Sequence, residues 1–283
     1  MKQIVLALIC VFCAVNAGDK KEKANCCSTT ATEEFAAFGK SMAFVSLHEA
    51  PEPFEFAASG GEMKTIKTSD KMDANIYEVR GQQASNNYIL LFHEWWGLND
   101  YIKQEAEKIQ HEVGNVTVLA VDLYDGKVAM SPDSARVYVG QVNEERARTI
   151  IKAAIDYAGK KAKIATIGWC FGGGWSMQSA LMLGKQAVGC VIYYGMPEKD
   201  VKKLSTLQCD VLGIFGSQDK FINTDIVTEF EKNMKSAKKK LEVKTYDADH
   251  AFANPSNPHH DKGMTADANV ATIKYLKAKF GQP

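Results

Sequence analysis

Residues 163–174 read KIATIGWCFGGG, and this stretch decides the fold. Its first half is an apolar run, as expected of a strand that is buried on both faces. Its second half, Gly168–Gly172, places Cys170 between two glycines where a helix begins. Because glycines let the strand and the helix approach closely, the turn presents the cysteine side chain at the strand's carboxyl end. The pattern predicts a nucleophile elbow with cysteine in the usual place of serine, and the helix N-terminus beneath it favours the thiolate.

Strand and helix patterns alternate on both sides of this elbow. Residues 63–67 and 75–79 resemble a β-hairpin, and residues 88–93 and 116–122 are buried strands, with a helix between them. Further strands are expected at 187–194, 211–216 and 241–246, and helical sequence from 131 to 158 is broken near Gly140. This order predicts an α/β domain with a mostly parallel central sheet and helices on both faces. In such sheets, ligands bind at the carboxyl ends of the strands.

A cysteine nucleophile needs a base and an acidic residue that orients the base. After an elbow of this kind the acid comes first and the histidine second. The histidines that follow the elbow are His250, His259 and His260. His250 follows the last strand and is the expected base, and Asp219, just after strand 211–216, is the expected acid. Asp247 and Asp249 are expected to cap the loop or to be solvated, and a metal site at residues 259–261 is a weaker alternative.

The oxyanion hole of such an enzyme uses two backbone N–H groups. One is expected from Phe171, and the other from Trp95 in the loop 93–99, which reads HEWWGLN. Glu94 at a strand end beside a thiol is a candidate catalytic group, whereas His93 is expected to make a structural hydrogen bond. Whether the tryptophans line a pocket or pack in the core stays open; they are Trp95, Trp96, Trp169 and Trp175.

From about residue 60 to residue 280 the chain resembles the dienelactone hydrolase (carboxymethylenebutenolidase) family of α/β-hydrolases. The matching motifs, in order, are HEWWGLN at 93–99, DLY at 122–124, GWCFGG at 168–173, YYG at 193–195, GSQD at 216–219 and DHAF at 249–252. The resemblance implies an α/β-hydrolase fold and a Cys-His-Asp triad at Cys170, His250 and Asp219. It further implies that Glu94 contacts the resting thiol and helps to remove its proton. It implies no metal and no organic cofactor.

The sequence departs from the family where the substrate is held. Members that act on dienelactone bind its carboxylate with arginines, and one of them lies four residues after the catalytic histidine, where this chain has Asn254. Arg136 lies in the stretch that supplies the other arginine, at a spacing that does not align firmly. Asn cannot replace a bidentate arginine, so dienelactone itself is doubtful as the substrate. Trp96, Arg136 and Asn254 are the expected substrate contacts.

The composition and the N-terminal sequence limit which other functions and cellular locations are expected. Lys+Arg and Asp+Glu both number 34, so no basic excess points to nucleic acid. An apolar run over residues 4–15 before small residues predicts a secretory signal at 1–17, with an uncleaved anchor as the alternative. Residues 18–59 are expected to form a tether with a short helix near 33–45, and residues 60–283 the hydrolase domain. The mature protein would be periplasmic or extracellular, with five cysteines and therefore an unpaired thiol.

The sequence therefore predicts an exported cysteine hydrolase that cleaves a small ester or lactone through a thioester. A broad carboxylesterase or thioesterase differs from it only in substrate. A non-catalytic binding protein on the same fold is disfavoured, because the triad is complete. A redox role for Cys170 would need a resolving cysteine, and Cys190 and Cys209 are expected to pack in the core, although they could also pair with each other.

Overall fold

The computed structural model describes residues 30–282, and its centre is an eight-stranded sheet in the order β1-β2-β4-β3-β5-β6-β7-β8. The strands are β1 (Gly61–Lys67), β2 (Asp73–Val79), β3 (Asn87–Phe92), β4 (Thr117–Val121), β5 (Lys163–Trp169), β6 (Ala187–Tyr193), β7 (Val211–Gly216) and β8 (Leu241–Tyr246). Strand β2 runs antiparallel to β1 and β4, and all other neighbours are parallel. The predicted α/β-hydrolase fold, a mostly parallel sheet, is confirmed.

Helices cover both faces of this sheet. They are α1 (Ala31–Phe38), α2 (Met42–Ser46), α3 (Asp100–Val113), α4 (Pro132–Gln141), α5 (Glu144–Ala158), α6 (Phe171–Leu183), α7 (Val201–Ser205), α8 (Thr224–Ser236) and α9 (Lys262–Phe280). Helices α3 and α9 pack together on one face, and α5 and α6 pack together on the other. The central strands are buried on both faces, which explains their continuous apolar sequence.

Several helix boundaries follow from capping residues. The Asn99 side chain accepts the Ile102 N–H at the start of α3, and Gly114 ends this helix at φ 100°. Helical sequence after residue 131 is interrupted at residues 142–143, where Asn143 caps α5 by accepting the Arg146 N–H. The predicted break near Gly140 is therefore confirmed and lies two residues later.

The N-terminal segment, defined here as residues 30–56, differs from its prediction. The sequence predicts one short helix near residues 33–45, but the structure has two, α1 and α2. The chain turns after α1 at Gly39, and the Ser41 hydroxyl then accepts the Phe44 N–H and starts α2. Phe35, Phe44 and Val45 are buried against the domain. The predicted secretory signal and the Cys26-Cys27 pair lie outside the described residues.

Between residues 30 and 282, none of the helices has both the length and the apolar character needed to cross a lipid bilayer.

Candidate active site

The elbow lies between β5 and α6. Cys170 has φ 57° and ψ −119°, a strained conformation for a residue with a side chain. A Cβ atom on Gly168 would lie 2.1 Å from the carbonyl oxygen of Gly172. A Cβ atom on Gly172 would lie 2.3 Å from the carbonyl oxygen of Phe92 in β3. The two glycines are thus required by the close approach of the strand, the helix and the neighbouring strand.

The structure brings the three residues of the predicted triad together. Cys170 Sγ lies 3.4 Å from His250 Nε2, and His250 Nδ1 lies 2.6 Å from Asp219 Oδ2. The second oxygen of Asp219 accepts the backbone N–H groups of Phe221 and Ile222, which fixes the carboxylate. All three side chains are buried. The predicted nucleophile, base and acid therefore lie in hydrogen-bonding order, as the triad geometry requires.

The two aspartates next to His250 have other partners. Asp247 accepts hydrogen bonds from the side chains of Ser217 and Gln218. Asp249 accepts the backbone N–H of His250 at 2.7 Å. Both carboxylates thus bond within the loops around the base, and Asp219 alone of the three reaches the His250 ring.

The charge state of the thiol differs from the expectation. Burial raises the pKa of Cys170 above its ordinary value, although His250 beside it and the Phe171 N–H act in the opposite direction. Burial alone would lower the pKa of His250, but the Asp219 carboxylate outweighs it and raises that pKa above its usual value. A helix N-terminus contributes only about 0.3–1 kcal/mol at most sites, less than the cost of burying a charge. The resting Cys170 side chain is therefore a thiol.

Glu94 is buried at the start of the loop that follows β3, and two side chains hold it. The Tyr194 hydroxyl donates to Glu94 Oε1 at 3.3 Å, and the Asn254 amide donates to Oε2. Burial raises the pKa of Glu94 to about 7, although His250 and these two hydrogen bonds lower it. The family resemblance implied a contact between Glu94 and the resting thiol; here Glu94 bonds Tyr194 and Asn254, and the thiol bonds His250. This carboxyl group can gain or lose a proton near neutral pH.

Hydrogen bonds fix the first turn of the loop that follows β3. His93 Nε2 accepts the Leu123 N–H at 3.1 Å, so the expected structural role of this histidine is confirmed. The Tyr124 hydroxyl donates to the carbonyl oxygen of Trp95 at 3.1 Å and so orients the peptide that follows Trp95. His93 Nδ1 donates to the carbonyl oxygen of Glu94, whose peptide carries the Trp95 N–H. These bonds hold the segment from which the second oxyanion donor is predicted.

The N-terminal segment lies over the triad, which the sequence did not indicate. The Phe44 ring lies 5.5 Å from the His250 ring, and the His48 ring lies 5.4 Å from it, centre to centre. His48 also packs at 4.5 Å on the Trp95 ring. Phe44 and His48 are four residues apart, so they share one side of the chain at α2 and its end. The spacing of Phe44 and His48 was the one sequence feature that could have indicated this contact. Such spacing occurs in many amphipathic turns, so it does not identify a functional site.

Comparisons with known proteins agree with this architecture. The profile of the dienelactone hydrolase family matches residues 72–280.

The chain belongs to the dienelactone hydrolase family.

Relatives and solved structures extend this dienelactone hydrolase match. A protein of Aquifex aeolicus named as a candidate carboxymethylenebutenolidase is 26% identical over 224 residues, covering 73% of this chain and 96% of the relative. A candidate dienelactone hydrolase from Klebsiella pneumoniae superimposes with a TM-score of 0.66 at 18% identity, over 77% of this chain and 99% of that one. A dienelactone hydrolase-like promiscuous phosphotriesterase from metagenomic libraries gives 0.64 at 18% identity, over 78% and 99%. This chain is thus a hydrolase of carboxylic ester bonds.

Of the other expected substrate contacts of this dienelactone hydrolase, Arg136 lies away from the triad, and Asn254 lines the cavity beside Glu94. Arg136 lies on α4 with an exposed side chain 3.5 Å from Asp133, so the structure does not bring it to the triad. Asn254 is buried, but its amide donates to Glu94 and its oxygen accepts the Ser256 N–H. Its side chain therefore holds a site residue and offers no charge for a substrate carboxylate. The sequence could not show this, because Glu94 is 160 residues away.

The four tryptophans divide between cavity and core. Trp96 and Trp169 line a cavity beside Glu94 and Asn254, which also reaches Asn269 of α9. Trp95 packs under Phe44 and His48, and Trp175 packs on Phe171. The expected contact of Trp96 with a substrate is thus consistent with its position, next to Glu94.

The other described cysteines lie apart from the elbow loop. Cys190 is buried in β6 with its sulfur 3.5 Å from the Ser176 hydroxyl, and Cys209 is half-buried. Neither forms a disulfide among the residues described, so the expected core packing of Cys190 is confirmed and a Cys190–Cys209 bond is absent there.

Proposed function

We propose that this dienelactone hydrolase cleaves a small ester or lactone with Cys170 as covalent nucleophile. The observation that carries the proposal is the hydrogen-bonded series Cys170–His250–Asp219, with distances of 3.4 and 2.6 Å. A thiol beside an imidazole that a carboxylate orients is the arrangement used for acyl transfer.

The reaction proceeds through a thioester. When substrate binds, the Cys170 thiol loses its proton to Glu94, and the thiolate attacks the carbonyl carbon. The N–H groups of Phe171 and Trp95 stabilise the oxyanion. The carbon–oxygen bond then breaks, and the leaving alkoxide takes a proton from His250. A water molecule next gives a proton to His250 and attacks the thioester, which releases the acid, and Glu94 returns its proton to the departing thiolate.

The surroundings of the triad favour a substrate without a carboxylate. Asn254 is engaged with Glu94, and Arg136 lies on the surface, so neither offers a cation to an anionic group. The cavity beside Glu94 is lined by Trp96 and Trp169 and leads towards the carboxyl ends of the strands. The cation that lines this cavity, Lys108, is paired with Glu105 at 3.6 Å, so a neutral, partly apolar acyl or alcohol group fits the lining better than dienelactone does.

Hydrolysis of a small panel tests the proposal. We expect wild type to cleave p-nitrophenyl acetate or a butenolide faster than dienelactone, and Cys170→Ala to lose activity on each substrate. Acid quenching during turnover should give a protein whose mass is increased by one acetyl group at Cys170. Cys209→Ala is the matched thiol control and should behave as wild type. Full activity in Cys170→Ala would exclude the mechanism.

A second proposal concerns where the protein acts. We propose that the chain is exported, because the apolar run at residues 4–15 has the length and flanks of a secretory signal. Expression with a C-terminal tag, followed by fractionation and N-terminal sequencing, tests it. A mature N-terminus near Gly18 supports export, and an intact Met1 on cytoplasmic protein contradicts it.

A further inference from the structure

Three side chains with metal-binding atoms meet above the elbow. One ring nitrogen each from His48 and His250 and the sulfur of Cys170 all lie within 4.8 Å of one another. They come from three separate parts of the chain: the N-terminal segment, the elbow and the loop after β8. All three are buried, with His48 and His250 each 2% exposed. Of these three residues, the proposed catalysis uses only Cys170 and His250. The burial of His48 beside them therefore requires a separate explanation.

The hydrogen bonds of both histidines leave the Nε2 atom of each ring available to a metal ion. The Phe44 carbonyl oxygen, 2.8 Å from His48 Nδ1, can only accept, so Nδ1 carries the hydrogen and Nε2 carries the lone pair. His48 Nε2 is buried and has no hydrogen-bond partner among the described residues. His250 bonds Asp219 through Nδ1, which leaves its Nε2 facing the sulfur.

The hydrogen bonds of the two ring Nδ1 atoms match those of metal-binding histidines in other proteins. Such a histidine donates its other ring N–H to a carboxylate or a backbone carbonyl, which fixes the ring and raises its basicity. Here the carboxylate is that of Asp219, and the carbonyl is that of Phe44. An unpaired imidazole nitrogen costs free energy in a buried place unless a ligand completes it.

We propose that His48, Cys170 and His250 bind one Zn²⁺ ion, or a divalent cation of similar softness, with a fourth position open to water. Cysteine sulfur and imidazole nitrogen are the preferred zinc ligands. Tetrahedral bonds of about 2.3 Å to sulfur and about 2.0 Å to nitrogen place two such ligand atoms about 3.5 Å apart. Cys170 and His250 already have this separation, and the ring nitrogen of His48 lies within 4.8 Å of both atoms, so a small movement brings it to the same separation.

Binding would have two consequences. The thiol and the protonated His250 ring each lose a proton to solvent, since zinc binds the thiolate and the neutral imidazole, so the affinity rises with pH. The ion also occupies both the nucleophile and the base and ties the N-terminal segment over them. The zinc form is then closed and does not hydrolyse esters. This inference goes beyond the proposed function, and the binding itself does not depend on it.

Cobalt substitution tests the site directly. We expect the full chain to bind one Co²⁺ with a sulfur-to-cobalt charge-transfer band in the near ultraviolet and with the visible bands of a tetrahedral ion. Cys170→Ser should lose the ultraviolet band. His48→Ala should lower the affinity for Zn²⁺ at least tenfold, measured by competition with a chromophoric chelator. His48→Cys should restore that affinity. Thermal unfolding checks that each variant is folded.

Matched controls separate this site from other ligands of the chain. His111→Ala, on α3, and Cys209→Ser should leave the cobalt spectrum and the Zn²⁺ affinity unchanged. The double variant Cys26→Ser/Cys27→Ser should do the same. A spectrum that survives both Cys170→Ser and His48→Ala, or the absence of any binding at one equivalent, overturns the proposal.

The proposed metal site and the proposed hydrolase mechanism can be refuted independently of each other. An active esterase that neither binds Zn²⁺ nor is inhibited by it refutes the metal site and leaves the hydrolase. A protein with the cobalt spectrum and no activity on any ester, after removal of metal by a chelator, keeps the metal site and refutes the hydrolase.

Discussion

Asn254 donates its side-chain amide to the carboxyl group of Glu94, and both side chains are buried at the edge of the triad. Tyr194 donates to the second oxygen of the same group. The residue that takes the place of a substrate-binding arginine therefore controls the protonation of a candidate proton acceptor.

Replacement of Asn254 should shift the pH dependence of hydrolysis. Asn254→Ala removes a donor that stabilises the Glu94 carboxylate, so the pKa of Glu94 should rise further above about 7. We expect the acid limb of kcat/KM on p-nitrophenyl acetate to move up by about one pH unit. Asn257→Ala is the control, because that amide donates to the Leu47 carbonyl instead. An unmoved limb in Asn254→Ala would contradict this role.

Glu94 itself should set the lower limb of the profile. With a pKa of about 7, its carboxylate form is lost as the pH falls, so kcat/KM should rise through pH 7 in wild type. Glu94→Gln should reduce kcat/KM about 10²-fold at pH 7 and recover activity only at alkaline pH, as Cys170 ionises. Pre-steady-state acylation across this range measures it. If Glu94→Gln kept the rise of kcat/KM through pH 7, that rise would belong to a group other than Glu94.

The same carboxyl group should affect stability with a defined sign. Its pKa is raised from 4.5 to about 7 on folding, so its contribution is fully present below pH 4.5 and is lost as the pH rises to 7. A shift of this size corresponds to a loss on the order of 3 kcal/mol. We expect Glu94→Gln to be more stable than wild type at pH 8 and the difference to shrink at pH 4.5. Urea unfolding at both pH values measures it, and a pH-independent difference would refute it.

Phe44 should control access to the nucleophile. Its ring packs on Phe35, Trp95 and Phe221 and covers His250. Phe44→Ala leaves a cavity that costs about 3–5 kcal/mol, which favours release of the N-terminal segment. Site-resolved labelling by a thiol reagent should then be faster at Cys170.

The control for this prediction lies in the same segment. Phe54 stacks on Tyr101, away from the triad, so Phe54→Ala should leave the labelling rate of Cys170 near that of wild type. Equal rates in Phe44→Ala and wild type would show that the thiol is reached by another route.

Two glycines should respond oppositely to the same change. Gly172→Ala places a Cβ atom against the Phe92 carbonyl oxygen and should destabilise the fold by about 3 kcal/mol or more. Gly140, in α4, has no atom within 4 Å of the equivalent position, so Gly140→Ala should stabilise by about 0.5 kcal/mol. Thermal unfolding of both variants measures this, and similar melting temperatures would contradict the role of the elbow.

The sequence by itself determined the fold and the order of the triad. Buried parallel strands need continuous apolar runs, and an elbow needs glycines around its nucleophile, so both leave a local pattern that can be read directly. For the same reason, β5, β7 and β8 were predicted with the bounds that the structure has. The positions of Asp219 and His250 follow from the strands that they come after.

Only the tertiary structure decided what surrounds the triad. The contacts of Asn254 with Glu94, and of His48 and Phe44 with His250, join segments far apart in the chain, and no periodicity encodes them. The same is true of the thiol's charge state, since the pKa of Cys170 depends on how completely it is buried. Local sequence fixes which residues follow a strand, whereas burial and long-range packing fix their protonation and their neighbours.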